Sequence, residues 1–410
     1  MLRLTSLVFV LLMTTGAPMA TAQSAYETPP VLKASDLAPQ TMLRGPHFTV
    51  DQDVATTDLM THFIIRSDYG VFDAHGRDVL AIRVVEVGAL DQLARTSKTD
   101  EFVSAVKNAA VRPVAAAANM AEHPMDTVKG APAAVGRFFD RVQLGAKSIT
   151  QSSKSSGTTT ADTAQRIGSV TADVLGYEEE RRALAKKLGV DPYTTNHVLA
   201  GKLDDMAWVA FSGRLGLNVV ESVVVPFSFA LSATSATNDL IWDTKPADLL
   251  NLDAQKLRTL GIADADVQAL LQNRWYSLTM LTSLLNGLEA LAGVSGLDQV
   301  VQFAELAPSE DRARLVVSAV QMLAREQTST HALVQIAAPG PLVARTRAGG
   351  ILIPVPLDYV PWTERVATFA QRPDLRAKDR TAWIRGIASP RTKSELTAAG
   401  WTIREDPLPH

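Results

Sequence analysis

The sequence contains no cysteine, and this absence removes several classes of site at once. The chain has no disulfide bond, no thiolate metal ligand, no cysteine nucleophile and no lipid-modified N-terminal cysteine. Aromatic residues make up only 6% and charged residues 20% of the 410 residues, whereas hydrophobic residues make up 46%. These proportions are typical of a packed globular protein, so we expect a fold that is held by packing alone.

The chain also has little net charge and none of the common catalytic motifs. Its formal net charge is −3, which does not favour a protein that coats nucleic acid. A nucleophile elbow, a Walker A loop, a G-x-G-x-x-G loop and an H-E-x-x-H motif are all missing from the sequence. No two of the seven histidines have the spacing of metal ligands within one helix. We therefore predict no cofactor, no bound metal and no nucleic-acid partner.

The first 22 residues have the pattern of a secretory signal peptide. Arg3 gives a positive start, Leu7 to Met13 form a short apolar run, and Ala20-Thr21-Ala22 is a small-x-small cleavage site. The apolar run is too short to span a bilayer as a helix. We expect an exported, periplasmic protein whose mature chain begins at about Gln23 and has no transmembrane span.

The predicted fold class is α+β and predominantly helical. The sequence divides into six predicted parts: a signal peptide at 1–22, an irregular N-terminal arm at 23–46, a β-hairpin with alanine-rich helices at 47–147, a Ser/Thr-rich linker at 148–161, an all-α domain at 162–329, and a small α/β domain at 330–410.

Hydrophobic periodicity predicts the N-terminal elements in more detail. The β-rich runs 59–66 and 71–75 flank a turn and predict a hairpin. The apolar pattern from Arg77 to Arg95 predicts a largely buried helix, in which Arg83 and Glu86 are the main polar interruptions.

Two later regions also have readable patterns. Residues 184–199 resemble a DNA-binding helix-turn-helix, but Asp204 and Asp205 follow closely and favour a packing role. In the last 80 residues the pattern predicts strands at 333–337, 351–357, 382–387 and 401–404, with helices at 362–371 and 390–399.

Two groups of residues are candidates for catalysis. Ser104 and Lys107 match the S-x-x-K spacing, which places a hydroxyl and an amine on one helical face. In the predicted hairpin, His62 and His75 lie on paired strands, with Asp68 or Asp73 as acidic partners. Either group would form a site only through the three-dimensional fold.

Other residues are candidates for binding. Trp383, Arg385 and Trp401 combine aromatic and basic side chains in residues 330–410, which carry a net charge of +4. Phe138 and Phe139 lie in a segment with two interpretations: packing into the core, which is the commoner one, or amphipathic contact with a membrane surface.

The missing catalytic motifs, the helix-rich body and the basic C-terminal part together favour a protein of the cell envelope. We expect an exported interaction or scaffold protein, with an envelope protein or another envelope component as its partner. Two alternatives remain open at this point: a periplasmic hydrolase whose site is assembled only in space, and a membrane-surface-active protein.

Overall fold

The computed structural model describes residues 25–96, 176–211 and 235–406. Within these residues the protein is a mixed α/β structure with three sheets. The predicted signal peptide, Ser104 and Lys107, Phe138 and Phe139, and the predicted linker at 148–161 lie outside the described residues.

A six-stranded antiparallel sheet forms the N-terminal part. Its strands and short helices are β1 Val31–Lys33, α1 Ala34–Leu37, α2 Gln40–Leu43, β2 Arg44–Gly45, β3 Phe48–Val50, β4 Asp53–Thr57, β5 Met60–Ser67 and β6 Gly70–His75. The predicted hairpin is present as β5 and β6, and β5 also pairs along its other edge with β4 and β3. The hairpin is therefore the centre of a larger sheet.

The segment expected to be an irregular arm differs from the prediction. Strand β1 pairs antiparallel with β4, and β2 pairs with β3, so both ends of the segment 31–45 belong to the sheet. Its short elements lack a sustained period, but the side chains of Leu37, Met42 and Leu43 are buried in the N-terminal core. Burial of these apolar groups stabilises the segment where the local pattern does not.

Helix α3 (Arg77–Thr96) follows β6 directly and covers one face of the sheet. Leu80, Leu90 and Leu93 are fully buried together with Phe63 and Ile65 of β5. Two further helices, α4 (176–188) and α5 (His197–Phe211), pack into this same core through apolar side chains that include Leu184, Leu188, Leu199 and Leu203.

The other central elements are also helices. They are α6 Ser235–Asp243, α7 Pro246–Thr259, α8 Asp264–Gln272, α9 Leu278–Ala290, α10 Leu297–Glu305 and α11 Glu310–Thr330. Helices α9 and α11 form the centre of a second core, in which Leu284, Leu288 and Val320 are fully buried. Within the described ranges, no helix is both long enough and apolar enough to cross a membrane.

The C-terminal part is built around a five-stranded mixed sheet. Its elements are β7 Leu333–Ala337, β8 Val343–Thr346, β9 Ile351–Val355, β10 Tyr359–Val360, α12 Glu364–Ala370, β11 Arg380–Ile384, β12 Ile387–Ala388, α13 Pro390–Ala398 and β13 Thr402–Glu405. The sheet order is β13-β11-β9-β8-β7, with β9, β11 and β13 parallel.

Side chains alternate across this sheet and so belong to two different cores. Leu352 of β9 is buried in the core of the central helices, whereas its neighbours Ile351 and Ile353 are buried against α12 and α13. The helical centre and the inner face of the C-terminal sheet thus share one continuous core.

Candidate functional site

A cleft of about 320 Å³ lies where the three parts of the molecule meet, and we call it the junction cleft. Its walls come from the start of α3, the loop 191–195, α9, α11 and the loop 356–358. Small-molecule sites occur preferentially at such junctions between structural units. The volume falls at the lower end of the range for small-molecule pockets.

The loop between α4 and α5 supplies one wall of the cleft. Gly189, with φ of 67°, ends α4 in the left-handed region. Asn196 begins α5, because its side-chain oxygen accepts hydrogen bonds from the backbone N–H groups of Val198 (3.1 Å) and Leu199 (3.3 Å). The helix caps at Gly189 and Asn196 thus fix both ends of the loop. This loop is the turn between the two helices of the segment that resembles a helix-turn-helix.

The carboxylate of Glu86 lies buried behind this loop and accepts several hydrogen bonds. It pairs with Arg83 at 2.7 Å and accepts from the Asn196 side-chain amide at 3.0 Å and from the Thr194 hydroxyl. Glu86 is 1% exposed, so these partners replace the water that a carboxylate requires. The two polar interruptions of the apolar pattern in α3 therefore dock the α4–α5 loop.

Thr195 connects the loop to α11. Its hydroxyl donates to Glu310 at 2.9 Å and accepts from Arg83 at 2.9 Å, while Arg314 donates to Glu310 at 2.8 Å. Burial alone would raise the pKa of Glu310, but the guanidinium groups of Arg314 and Arg83 outweigh burial and lower that pKa. Glu310 is therefore ionised and neutralises positive charge at this wall.

Asp191 is a buried carboxyl group at the wall formed by the loop and α9. Its Oδ1 accepts from the hydroxyl of Thr279 at 2.6 Å and from the backbone N–H of Tyr193 at 2.7 Å. Burial raises the pKa of Asp191 above its ordinary value, although both hydrogen bonds oppose the shift. One helical turn beyond Thr279, Ser283 also lines the cleft.

A second carboxyl group, Asp358, joins the C-terminal part to the N-terminal part. Its Oδ2 accepts from the first backbone N–H of α3, that of Arg77, at 2.8 Å and from the hydroxyl of Thr61. Burial raises the pKa of Asp358, and the neighbouring Arg77 opposes that shift. Close by, Arg385 forms an ion pair of 2.6 Å with Asp78.

The histidines proposed as a catalytic pair do come together. His62 and His75 are direct partners across the hairpin, and their ring centroids lie 4.6 Å apart. His62 pairs with Asp73 at 3.2 Å, whereas His75 pairs with Asp311 of α11 at 2.6 Å. Asp68 instead contacts a histidine of the preceding segment. Among the described side chains, no group of three or more His, Asp or Glu residues could hold a metal ion.

The three candidate binding residues of the C-terminal part lie in different places. Trp383 is buried in the central core under Arg404, whose guanidinium carbon lies 3.9 Å from the ring centroid. Trp401 is buried in the outer core, and its indole N–H donates to the backbone carbonyl of Ala370 at 3.1 Å. Arg385 alone lines the junction cleft, so these residues do not form one aromatic groove.

The sequence interpretation did not select most of the cleft residues, although two signals were present. The segment 191–196 lies between two apolar helices, and in the sequence it looks like an ordinary connecting turn. Arg83 and Glu86 interrupt an apolar helix, which predicts that they have buried partners but does not identify those partners. Asp358 carries no local signal, because its partners Thr61 and Arg77 are almost 300 residues away.

We find no protein-family model that matches the chain, and no match among curated proteins or among solved structures.

Proposed function

We propose that this protein is an exported binding protein that holds a small polar molecule in the junction cleft. The observation that carries the proposal is the cleft itself, whose walls come from all three parts of the chain and present hydroxyl, carboxyl and guanidinium groups to one space. Export rests on the signal-peptide pattern of residues 1–22, and it stays a prediction.

Hydrogen bonds within the protein hold the polar groups of the cleft in place. The Thr195 hydroxyl donates to Glu310 and accepts from Arg83. The imidazole Nδ1 of His75 pairs with Asp311. These groups form a polar lining of fixed geometry, which is what a specific binding site requires.

Ligand binding at this place has a structural consequence. A molecule in the junction cleft contacts all three parts at once, so its binding free energy adds to the free energy that holds those parts together. Any ligand that binds only the folded state stabilises it, by about 2.7 kcal/mol at a concentration one hundred times the dissociation constant. Thermal unfolding is therefore a direct measure of occupancy.

The test is a thermal-shift screen of the purified chain against small polar molecules of the cell envelope, including sugars, polyols, amino acids and their phosphorylated forms. We expect at least one compound to raise the melting temperature by several degrees in a concentration-dependent way. A panel in which no compound changes the melting temperature would contradict the proposal.

A matched pair of variants tests whether the ligand binds in the junction cleft. Ser318 lies on the cleft side of α11, and Ser318→Phe fills part of the cleft. Ser329 is exposed near the end of the same helix, and Ser329→Phe adds the same ring outside the cleft. The ligand-induced shift should be lost in Ser318→Phe and retained in Ser329→Phe; equal shifts in both would place the ligand elsewhere.

A further inference from the structure

Ser283 is a buried hydroxyl at the wall of the junction cleft whose hydrogen-bonding capacity is unused. The residue is 4% exposed, and its Oγ has no hydrogen-bond partner among the residues that the structure describes. A buried hydroxyl without a partner costs free energy, and such groups are rare in folded proteins. At the wall of a cavity, the missing partner is expected from the molecule that fills the cavity.

A second unused polar atom lies one turn away on the same wall. Both hydrogen bonds of Asp191 are made by Oδ1, and Oδ2 accepts none from the described residues. Because Thr279 and Ser283 are separated by four residues on α9, they lie on one face of the helix. The Asp191 carboxyl that Thr279 holds and Ser283 therefore belong to the same wall of the cleft.

Three of the four arginines that line the cleft, in contrast, already pair with carboxylates within the protein. Arg83 pairs with Glu86, Arg314 pairs with Glu310 and Arg385 pairs with Asp78, at N–O distances of 2.6–2.8 Å. A phosphate or carboxylate ligand would have to displace one of these carboxylates before it could bind one of these three arginines. The fourth arginine of the cleft, Arg77, is only 9% exposed and donates to the backbone carbonyl of Arg385 at 3.4 Å. The cleft thus offers an anion little beyond the buried Arg77, and its four arginines disfavour a cation.

We propose that the ligand of the junction cleft is an uncharged molecule rich in hydroxyl groups, of the sugar or polyol class, and that Ser283 and Asp191 bind its hydroxyl groups. This inference rests on the proposed function, since it requires that the cleft bind a ligand. A hydroxyl group both donates and accepts, and it therefore satisfies the Ser283 hydroxyl and the Asp191 carboxyl together. Asp191 Oδ2 can accept from such a hydroxyl group while Oδ1 keeps its two bonds to the protein.

The first part of the test compares neutral probes with charged relatives of the same size. Isothermal titration calorimetry with the full chain would measure glucose and myo-inositol against glucuronate, glucosamine and glucose 6-phosphate. We expect at least one of the two neutral probes to bind and each charged probe to bind at least tenfold more weakly.

The second part uses Ser283→Ala, with Ser329→Ala as the control for loss of an exposed hydroxyl. Ser283→Ala should weaken binding of the neutral probe about tenfold, while the melting temperature without ligand stays the same or rises because a buried unpartnered hydroxyl is removed. A purely structural role for Ser283 would instead lower the melting temperature and leave the affinity of the folded protein unchanged.

The outcomes separate this inference from the proposed function. If charged probes bind and Ser318→Phe abolishes their binding, the cleft is a ligand site but its ligand class is not the one proposed here. If Ser283→Ala leaves the affinity for the neutral probe unchanged, the inference also fails while the binding function stands. If none of the five probes binds and the broader thermal-shift screen is also negative, both proposals fail.

Discussion

Asp253 is a carboxyl group that is fully buried between α7 and α9, in the core of the central helices. Thr282 donates to its Oδ2 at 2.9 Å, and its Oδ1 is buried without a hydrogen-bond partner in the part of the chain that the structure describes. Burial raises the pKa of Asp253 to about 7, against the opposing effects of Thr282 and Lys256. Its ionisation in the folded protein is therefore costly at neutral pH.

This carboxyl group predicts a dependence of stability on pH. Between the ordinary aspartate pKa of 3.8 and about 7, the folded state binds a proton that the unfolded state has released, so stability falls as the pH rises. Asp253→Asn should remove this fall and stabilise the protein at pH 8 by about 1–3 kcal/mol, with little effect at pH 4. Chemical denaturation at both pH values measures this, with the exposed Asp248→Asn of the same helix as control. A gain at pH 4 as large as that at pH 8 would argue against a titrating Asp253.

At the scale of elements, the ion pair of His75 and Asp311 joins β6 to α11. The hydrogen bond with Asp311 raises the pKa of His75, and the charge of Asp73 adds to this effect. The stabilising contribution is complete below pH 6.5, the pKa of an unfolded histidine, and is lost as the pH rises through the higher pKa of the folded state. Both side chains are more than a third exposed, so we expect less than about 1 kcal/mol.

Substitution of this histidine tests the contact. His75→Gln should be less stable than the unaltered protein at pH 5.5, and the difference should shrink as the pH rises from 6.5 to 9 and the histidine loses its proton. The control is His197→Gln, which changes an exposed histidine at the start of α5. A deficit in His75→Gln that does not vary with pH would mean that the ion pair contributes nothing and that only packing was lost.

Elements with a clear local hydrophobic pattern can be predicted from the sequence, whereas elements that depend on distant partners cannot. Helix α3 and strand β7 lie close to their predicted positions, because a long apolar face and a β-rich run each specify one structure. Strand β1 was missed, since its three residues become a strand only by pairing with β4. In the cleft, Arg385 was selected from the sequence, but Asp191 and Ser283 gain their importance only from the helices packed around them.

At the scale of the whole molecule, Asp358 links the two sheet-containing parts. The carboxyl group accepts from the N-terminus of α3, where a negative charge is favoured by the helix dipole. The backbone of Asp358 also packs tightly against Gly386, where a Cβ atom would collide with the Asp358 carbonyl oxygen. One residue thus anchors the C-terminal part to α3 and also forms part of the floor of the junction cleft.

Removal of this link should make the molecule unfold in parts. In Asp358→Ala the backbone N–H of Arg77 and the hydroxyl of Thr61 lose their acceptor, at a cost of about 1–3 kcal/mol. Because the lost bonds join two parts and stabilise neither internally, we expect calorimetry to resolve two thermal transitions in place of one. Asp374→Ala, which removes an aspartate paired only with its neighbour Arg372, is the matched control and should unfold as the unaltered protein does. A single transition at an unchanged temperature in Asp358→Ala would show that other contacts between the parts, such as the Arg385–Asp78 ion pair, hold them together without this carboxyl group.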